Sequence, residues 1–297
     1  MVPAKGPRQS TFQIDNFLRQ AIQVSQTYRD QFHVSIDQDY LRRGLEGLLG
    51  LPEESEYDPD SILRQYLDVL GSLLCIDSPD IGYICDFLKQ TNGTLECIGT
   101  LNYDTLVEQA GKQENVDFDY GLSQWNERRV IRFLPSQQRL IKLHGSVNWY
   151  SIKRDEIVFE QSEKSWKQRP RAMVFGGQSE KLNPDGPFLS LRHEFQRALD
   201  RTNVLAIVGY SFSDNHLNAM LRSWVAVKRK AKLIVLDPEG LSKAAPLLRS
   251  FPTQRKDPSA NETIEVVEIK GKFRGNVARL VEALKLPPKP MRASNSK

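Results

Sequence analysis

Three times along this chain an apolar run of strand length breaks, within one or two residues, into small and polar side chains. The breaks are Thr-Leu-Asn-Tyr-Asp at 100–104, Lys-Leu-His-Gly-Ser at 142–146 and Gly-Tyr-Ser-Phe-Ser-Asp at 209–214. Buried parallel strands read as nearly continuous apolar runs, and α/β sheets present ligand-binding groups just beyond the carboxyl ends of their strands. One such junction is a coincidence. Three of them, carrying an Asn/Asp pair, a His and a Gly/Ser turn, point to one assembled site suited to a nucleotide whose sugar undergoes chemistry.

The surrounding pattern supports that placement. From residue 95 onward strand-like and helix-like segments alternate: strands over 95–99, 139–143, 204–208, 233–236 and 263–269, and helices over 104–111, 188–199, 214–228, 241–248 and 275–285. Such alternation predicts a Rossmann-like α/β fold, a parallel sheet flanked by helices with right-handed crossovers. Between these segments 112–137 reads as an irregular excursion, and 150–186 as loop-rich with a short strand near 172–175. The first third is helical in texture. Ile14, Phe17, Leu18, Ala21, Ile22 and Tyr28 recur at helical spacing, as do Ile62, Leu63, Tyr66, Leu67, Leu70, Leu73 and Leu74, and a further helix fits 81–90. The expected organisation is a helical N-terminal lobe over 1–94, a Rossmann-like core over 95–285 and a disordered Pro-, Lys- and Ser-rich tail over 286–297.

Composition narrows the function classes. The 297 residues carry 41 basic and 37 acidic side chains, a net charge of +4 that is well mixed along the chain. That balance gives no basic patch of the kind nucleic acid requires; Arg128, Arg129, Arg132 and Arg139 read as a solvated face, and no nucleic-acid partner is expected. No apolar run is long enough to span a bilayer and no signal-type segment opens the chain, so a cytoplasmic protein with no membrane partner is expected. Three cysteines, Cys75, Cys85 and Cys97, show no Cys-x-x-Cys spacing and provide neither a disulfide framework nor a zinc site. They read as core residues.

The candidate residues each have a structural and a chemical reading. Asp104 suits a helix cap, which leaves Asn102 without a reason; an amide beside a carboxylate at a strand tip also positions a water and a ligand amide together. His144 sits beside an apolar run, as many core histidines do. The Gly145 and Ser146 that follow allow close approach of a ligand, and an imidazole titrates near neutrality and accepts a proton from a sugar hydroxyl. Gly209 and Ser211, with the N–H groups of a helix start, form an anion cradle, whereas Ser213 and Asp214 serve equally as caps, and His216 and Asn218 face either the site or solvent. Asp237 ends a strand before Pro238, as a ribose acceptor or as a turn residue.

Asn-Tyr-Asp, Leu-His-Gly-Ser, Gly-Tyr-Ser-Phe-Ser-Asp-x-His and Leu-Asp-Pro occur here in the order seen in sirtuin-like domains. The pattern most resembles the zinc-free bacterial branch, many of whose members are NAD-consuming effectors of antiphage defence. The stretch Phe175-Gly-Gly-x-x-x-Lys-Leu-Asn-Pro-Asp-Gly-Pro-Phe188 is also similar to that branch, and the likeness runs from about 95 to 285. It implies an NAD glycohydrolase releasing nicotinamide and ADP-ribose, with NAD as substrate, no zinc, and a second copy or a partner defence protein as companion. Asn102 would position the attacking water or the nicotinamide ribose, and His144 would be the general base on the ribose. Asp104 would help hold the nicotinamide end, Thr100 would contact the cofactor, Gly209 and Ser211 phosphate or ribose, and Asp237 the adenosine ribose.

Two features depart from the family pattern. Sirtuin deacylases carry a four-cysteine zinc module that three cysteines cannot supply, which makes protein deacylation the weakest reading. Family members also begin with a strand leading into a Gly-Ala-Gly-type phosphate loop about a hundred residues before Asn-Tyr-Asp. Here Gly44-x-x-Gly47-x-x-Gly50 has neither the spacing nor the preceding strand of a dinucleotide fingerprint. The expectation is therefore a shortened form of a longer protein or a variant with a half-built cofactor site, and the alternative function is a catalytically weak or inactive nucleotide-binding or assembly module.

Overall fold

A computed structural model describes residues 71, 74, 79–91, 94–153, 156–159, 171–174, 186–228, 230–244 and 264–285. The helical periodicities over 14–28 and 62–74, the glycines at 44, 47 and 50, Cys75, and the tail from 286 lie outside or almost wholly outside these residues.

The described chain opens with helix α1 (Gly82–Thr91), strand β1 (Ile98–Thr100), helix α2 (Leu106–Glu114), the two-residue strand β2 (Phe118–Asp119) and the single-turn helix α3 (Trp125–Arg128). Strand β3 (Gln138–Lys142) pairs in parallel with β1 on one side and β2 on the other, with Ile98 opposite Leu140 and Phe118 opposite Gln138. The segment 112–137, expected to leave the sheet, thus returns to it at β2. The reason is local: Asp119 turns inward and its carboxylate accepts from the Gly121 and Leu134 N–H groups, which folds the polar stretch back over the strand.

Next comes an antiparallel three-stranded sheet, of which the sequence predicts only the short strand near 172–175. Strand β4 (Gly145–Lys153) pairs with β5 (Glu156–Phe159) and with β6 (Arg171–Met173). Its side chains pack inward through Val147 and Trp149, both fully buried, and Tyr120, Trp149 and Phe159 form a cluster of ring contacts at 5.4–5.7 Å. Aromatic pairs at such spacings add to the stabilisation from burial alone. The polar residues interspersed along β4 mask a strand whose first part is buried on both faces, Ser146 and Tyr150 as well as Val147 and Trp149.

The C-terminal half follows the expected alternation except beyond Asp237, where the helix expected over 241–248 is a single 3-10 turn (Gly240–Ser242) as far as residue 244, 245–263 lying outside the described residues. Helix α4 (Phe188–Arg201), strand β7 (Val204–Val208), helix α5 (Asn215–Val227), strand β8 (Ala231–Asp237), strand β9 (Ile264–Lys270) and helix α6 (Val277–Leu284) follow in order. The sheet β7-β8-β9 is wholly parallel, with Val204 opposite Lys232 and Ala231 opposite Ile264. Side chains alternate across β8 as strand geometry dictates. Leu233 and Val235 pack with Leu221, Trp224 and Val225 of α5, while Ile234 and Leu236 pack with Leu280 of α6. Helices therefore cover both faces, and each fully buried aliphatic side chain contributes about 1.5–3 kcal/mol. The fold is α/β, built on parallel sheets flanked by helices, as the sequence predicts.

Helix α4 ties the two halves together. Its Leu191 packs beneath β3 and β4, its Leu199 beneath β7 and β8, and Phe195 reaches both clusters. Gly99 in β1 lies against the Phe195 ring so closely that a methyl group there would meet it at 2.5 Å. This packing brings the carboxyl ends of β1 and β3 alongside the start of α5. Among the described residues no helix is long and apolar enough to cross a membrane.

Candidate active site

Four parallel strands end at the chosen residues: β1 at Thr100, β3 just before His144, β7 just before Gly209 and β8 at Asp237. The Leu143 N–H donates to the Thr100 carbonyl at 3.0 Å, extending the β1–β3 ladder one residue past the strands. Asn102 and His144 thus leave neighbouring strand tips. Asn102 is exposed, and its N–H donates to the Thr100 hydroxyl at 3.0 Å, which shapes the turn.

His144 is only 7% exposed. Its carbonyl accepts from Val174 N–H at 2.9 Å, and the residues on either side are fixed as well. Gly145 has φ +83°, and a Cβ on it would meet the Ala172 carbonyl oxygen at 2.2 Å. Ser146 donates to the Tyr103 carbonyl at 3.1 Å, and the Tyr103 hydroxyl donates to the Val174 carbonyl at 2.7 Å. The glycine in Leu-His-Gly-Ser is thus required by the turn between β3 and β4, whose backbone runs against β6.

The imidazole has a partner that sequence reasoning treats only as a cap. His144 Nε2 lies 3.1 Å from Asp214 Oδ2, with Asp214 2% exposed. The other oxygen, Oδ1, accepts from the N–H groups of His216 at 2.9 Å and Leu217 at 3.1 Å, so Asp214 is the N-cap of α5 as well. A carboxylate only accepts, so in the neutral ring this contact places the proton on Nε2 and leaves the lone pair on Nδ1. One side chain fixes both the start of a helix and the tautomer of the histidine. The signal available in sequence was the pair of strand-end motifs themselves; nothing in either motif says that they meet.

The loop from β7 to α5 is held by its own helix. Gly209 has φ +59° and Phe212 φ +56°, Asn218 Nδ2 donates to the Phe212 carbonyl at 2.7 Å, and the Ser211 and Ser213 hydroxyls lie 2.8 Å apart at the surface. Gly209 N–H donates to the Leu236 carbonyl at 2.9 Å, which sets Gly209 beside the end of β8. Asp237 there is buried, and its Oδ1 accepts from Glu239 N–H at 2.8 Å with Lys243 Nζ at 3.6 Å. Asp104 is also buried, its Oδ1 accepting from Leu106 N–H at 3.0 Å at the start of α2. The structure therefore sets Asn102 and His144 just past neighbouring strand ends and Gly209 beside Asp237, and it turns the Asp104 and Asp237 carboxylates onto their own backbone turns.

Sequence reasoning also passes over two buried cations. Lys142, fully buried at the end of β3, pairs with Glu108 at 2.9 Å and donates to the Asp104 carbonyl, and Glu108 in turn accepts from the Tyr120 hydroxyl at 3.2 Å. Burial, together with Glu108, raises the Tyr120 hydroxyl above its usual range. Arg192 of α4 lines a small cavity together with Leu101, Leu143, His144, Asp214, Leu217 and Met220. An apolar sequence context hides Lys142, and neighbouring charges in the Arg-His-Glu stretch hide Arg192.

A family model described as "SIR2-like domain" matches residues 96–254. Among solved structures the chain is similar to a mutant Sir2 homologue with 2′-O-acetyl ADP-ribose, at 17% identity, 78% of each chain and a TM-score of 0.43. It is similar also to another mutant Sir2 homologue with ADP-ribose, at 14% identity, 77% of this chain, 78% of that chain and a TM-score of 0.44. A third, a Sir2 homologue–NAD complex, has 14% identity, 81% and 86% coverage and a TM-score of 0.43. No curated protein sequence matches the chain.

Proposed function

The chain belongs to the SIR2-like domain family, and on that premise we propose that it is an NAD glycohydrolase, cleaving NAD with water to nicotinamide and ADP-ribose. The observation that carries the reading is the His144–Asp214 contact at a parallel-strand tip, with the exposed Asn102 just past the neighbouring strand end. In this reading the bond between nicotinamide nitrogen and ribose C1′ breaks, and its electron pair leaves on the nicotinamide, which becomes neutral. Water adds to C1′ and its surplus proton passes to solvent. A neutral leaving group needs no strong nucleophile; it needs an oriented sugar and a placed water.

The chain's own residues divide that work. His144, held as the Nε2–H tautomer by Asp214, accepts a ribose hydroxyl hydrogen bond and proton at the ring lone pair. Asn102 positions the water or the nicotinamide ribose, and Thr100 and Asp104 shape the pocket at the nicotinamide end. Gly209 and Ser211 contact phosphate or ribose, and Asp237 serves the adenosine ribose. By the likeness of its motifs the biological setting is antiphage defence. Incubation of purified protein with NAD should yield nicotinamide and ADP-ribose in equal amounts; NAD left intact under conditions that permit oligomerisation would contradict the reading.

A second reading is favoured by the burial of His144 and by the commitment of the Asp237 carboxylate to its own turn. It is a nucleotide-binding or assembly module with little turnover. Calorimetric titration with ADP-ribose separates the two, since this module binds the product-like ligand while leaving NAD uncleaved.

A further inference from the structure

Arg192 sits in the second turn of α4 and is 5% exposed. Both terminal nitrogens of its guanidinium are buried, and neither has a hydrogen-bond partner among the described residues. The group lines the same small cavity as His144 and Asp214, with Leu101 and Leu143 forming the apolar wall. A guanidinium keeps its proton under all ordinary conditions. Burial works against its charge and the nearby Asp214 works in favour of it, yet the two Asp214 oxygens already accept from His144, His216 and Leu217. A buried cation without a bonded anion is costly to the fold, and its planar fork of donors matches an oxyanion. Among the described residues Lys142, the other buried cation, has its carboxylate at Glu108, and Arg192 has no carboxylate bonded to it.

We propose that Arg192 is an oxyanion-recognising residue, which takes a phosphoryl oxygen of the ligand that binds against His144. The assignment of that ligand as a dinucleotide rests on the reading above; the assignment of Arg192 to an oxyanion rests on the cavity. In the free protein the unpartnered guanidinium is a destabilising element, and a bound phosphoryl group relieves it.

The test uses the full chain as wild type, Arg192→Lys and Arg192→Met, with thermal unfolding in inorganic phosphate against chloride at matched ionic strength, and calorimetry with ADP-ribose and with adenosine. Arg192→Met is expected to unfold at or above the wild-type temperature in chloride and to lose the phosphate-dependent rise in Tm that wild type shows. Arg192→Lys, which keeps the charge but not the fork, retains part of that rise. ADP-ribose affinity is expected to fall about 10-fold or more in Arg192→Met, with adenosine affinity unchanged. Equal losses for adenosine and ADP-ribose, or a Tm that responds to phosphate identically in wild type and Arg192→Met, would overturn the proposal. If wild type responds to phosphate through Arg192 but binds neither ADP-ribose nor NAD, the nucleotide reading fails and the oxyanion assignment stands.

Discussion

His144 Nε2 and Asp214 Oδ2 lie 3.1 Å apart, although the residues are 70 positions apart in sequence. The contact joins the turn after β3 to the first turn of α5 and commits one carboxylate to two tasks. It fixes a ring tautomer, and it satisfies two N–H groups that a helix start leaves without partners. The two tasks separate by mutation. Asn is as good an N-cap as Asp, so Asp214→Asn should keep the helix start and lose the negative charge at His144. Asp214→Ala should lose both, and be less stable than Asp214→Asn by about 1 kcal/mol in urea unfolding. Both variants should release nicotinamide far more slowly than wild type.

Two glycines of positive φ should respond differently to alanine. A Cβ on Gly209 has nothing within 4 Å, so Gly209→Ala should cost only the left-handed backbone preference, about 1–2 kcal/mol. A Cβ on Gly145 meets the Ala172 carbonyl at 2.2 Å, so Gly145→Ala should lose about 1–3 kcal/mol more through overpacking. Parallel denaturant titrations check the ordering.

The buried Lys142–Glu108 pair gives a third prediction. Removing the cation alone strands a carboxylate, and Lys142→Met should destabilise by about 3–5 kcal/mol. The double variant Lys142→Met/Glu108→Gln keeps an acceptor for the Tyr120 hydroxyl and removes both charges. It should be more stable than Lys142→Met, and a double-mutant cycle measures the coupling.

Alkaline pH should weaken the fold through its thiols. Desolvation, with Glu96 adjacent, pushes the Cys97 thiol from its usual 9.0 up to about 12, and burial raises Cys85 in the same direction. Above pH 9 the unfolded chain gives up these protons while the native state keeps them, so the unfolded state binds fewer protons and stability falls. The contribution is complete below pH 9 and is lost as pH climbs towards 12. Between pH 9 and 10 the decline in unfolding free energy should be shallower in Cys97→Ala than in wild type.

The parallel strands and their flanking helices were legible because β7, β8 and α5 are strongly apolar at the correct periods, and because Gly209, Asp214 and Asp237 punctuate their ends. Of the antiparallel sheet β5-β4-β6 only β6 was. Ser146, Asn148 and Ser151 interrupt β4, and its Trp149 packs against the ring of Tyr120, far upstream. The site was legible as a set of strand tips, since chemistry at the carboxyl end of a parallel sheet follows from topology. Its pairing was not. Asp214 looks like an ordinary cap in sequence, and Arg192 like one charge among several in the Arg-His-Glu stretch of α4, until folding sets Asp214 against His144 and Arg192 on the same small cavity.

The central claim is that His144, oriented by Asp214, acts on the ribose of NAD. Nicotinamide release from NAD should be followed at neutral pH with wild-type protein and with His144→Ala, under conditions that permit oligomerisation and with ADP-ribose binding measured in both. The account predicts release by wild type, a fall of about 10²–10⁴-fold in His144→Ala, and ADP-ribose affinity retained in the variant. Release at equal rates from both proteins, or from neither, would contradict it.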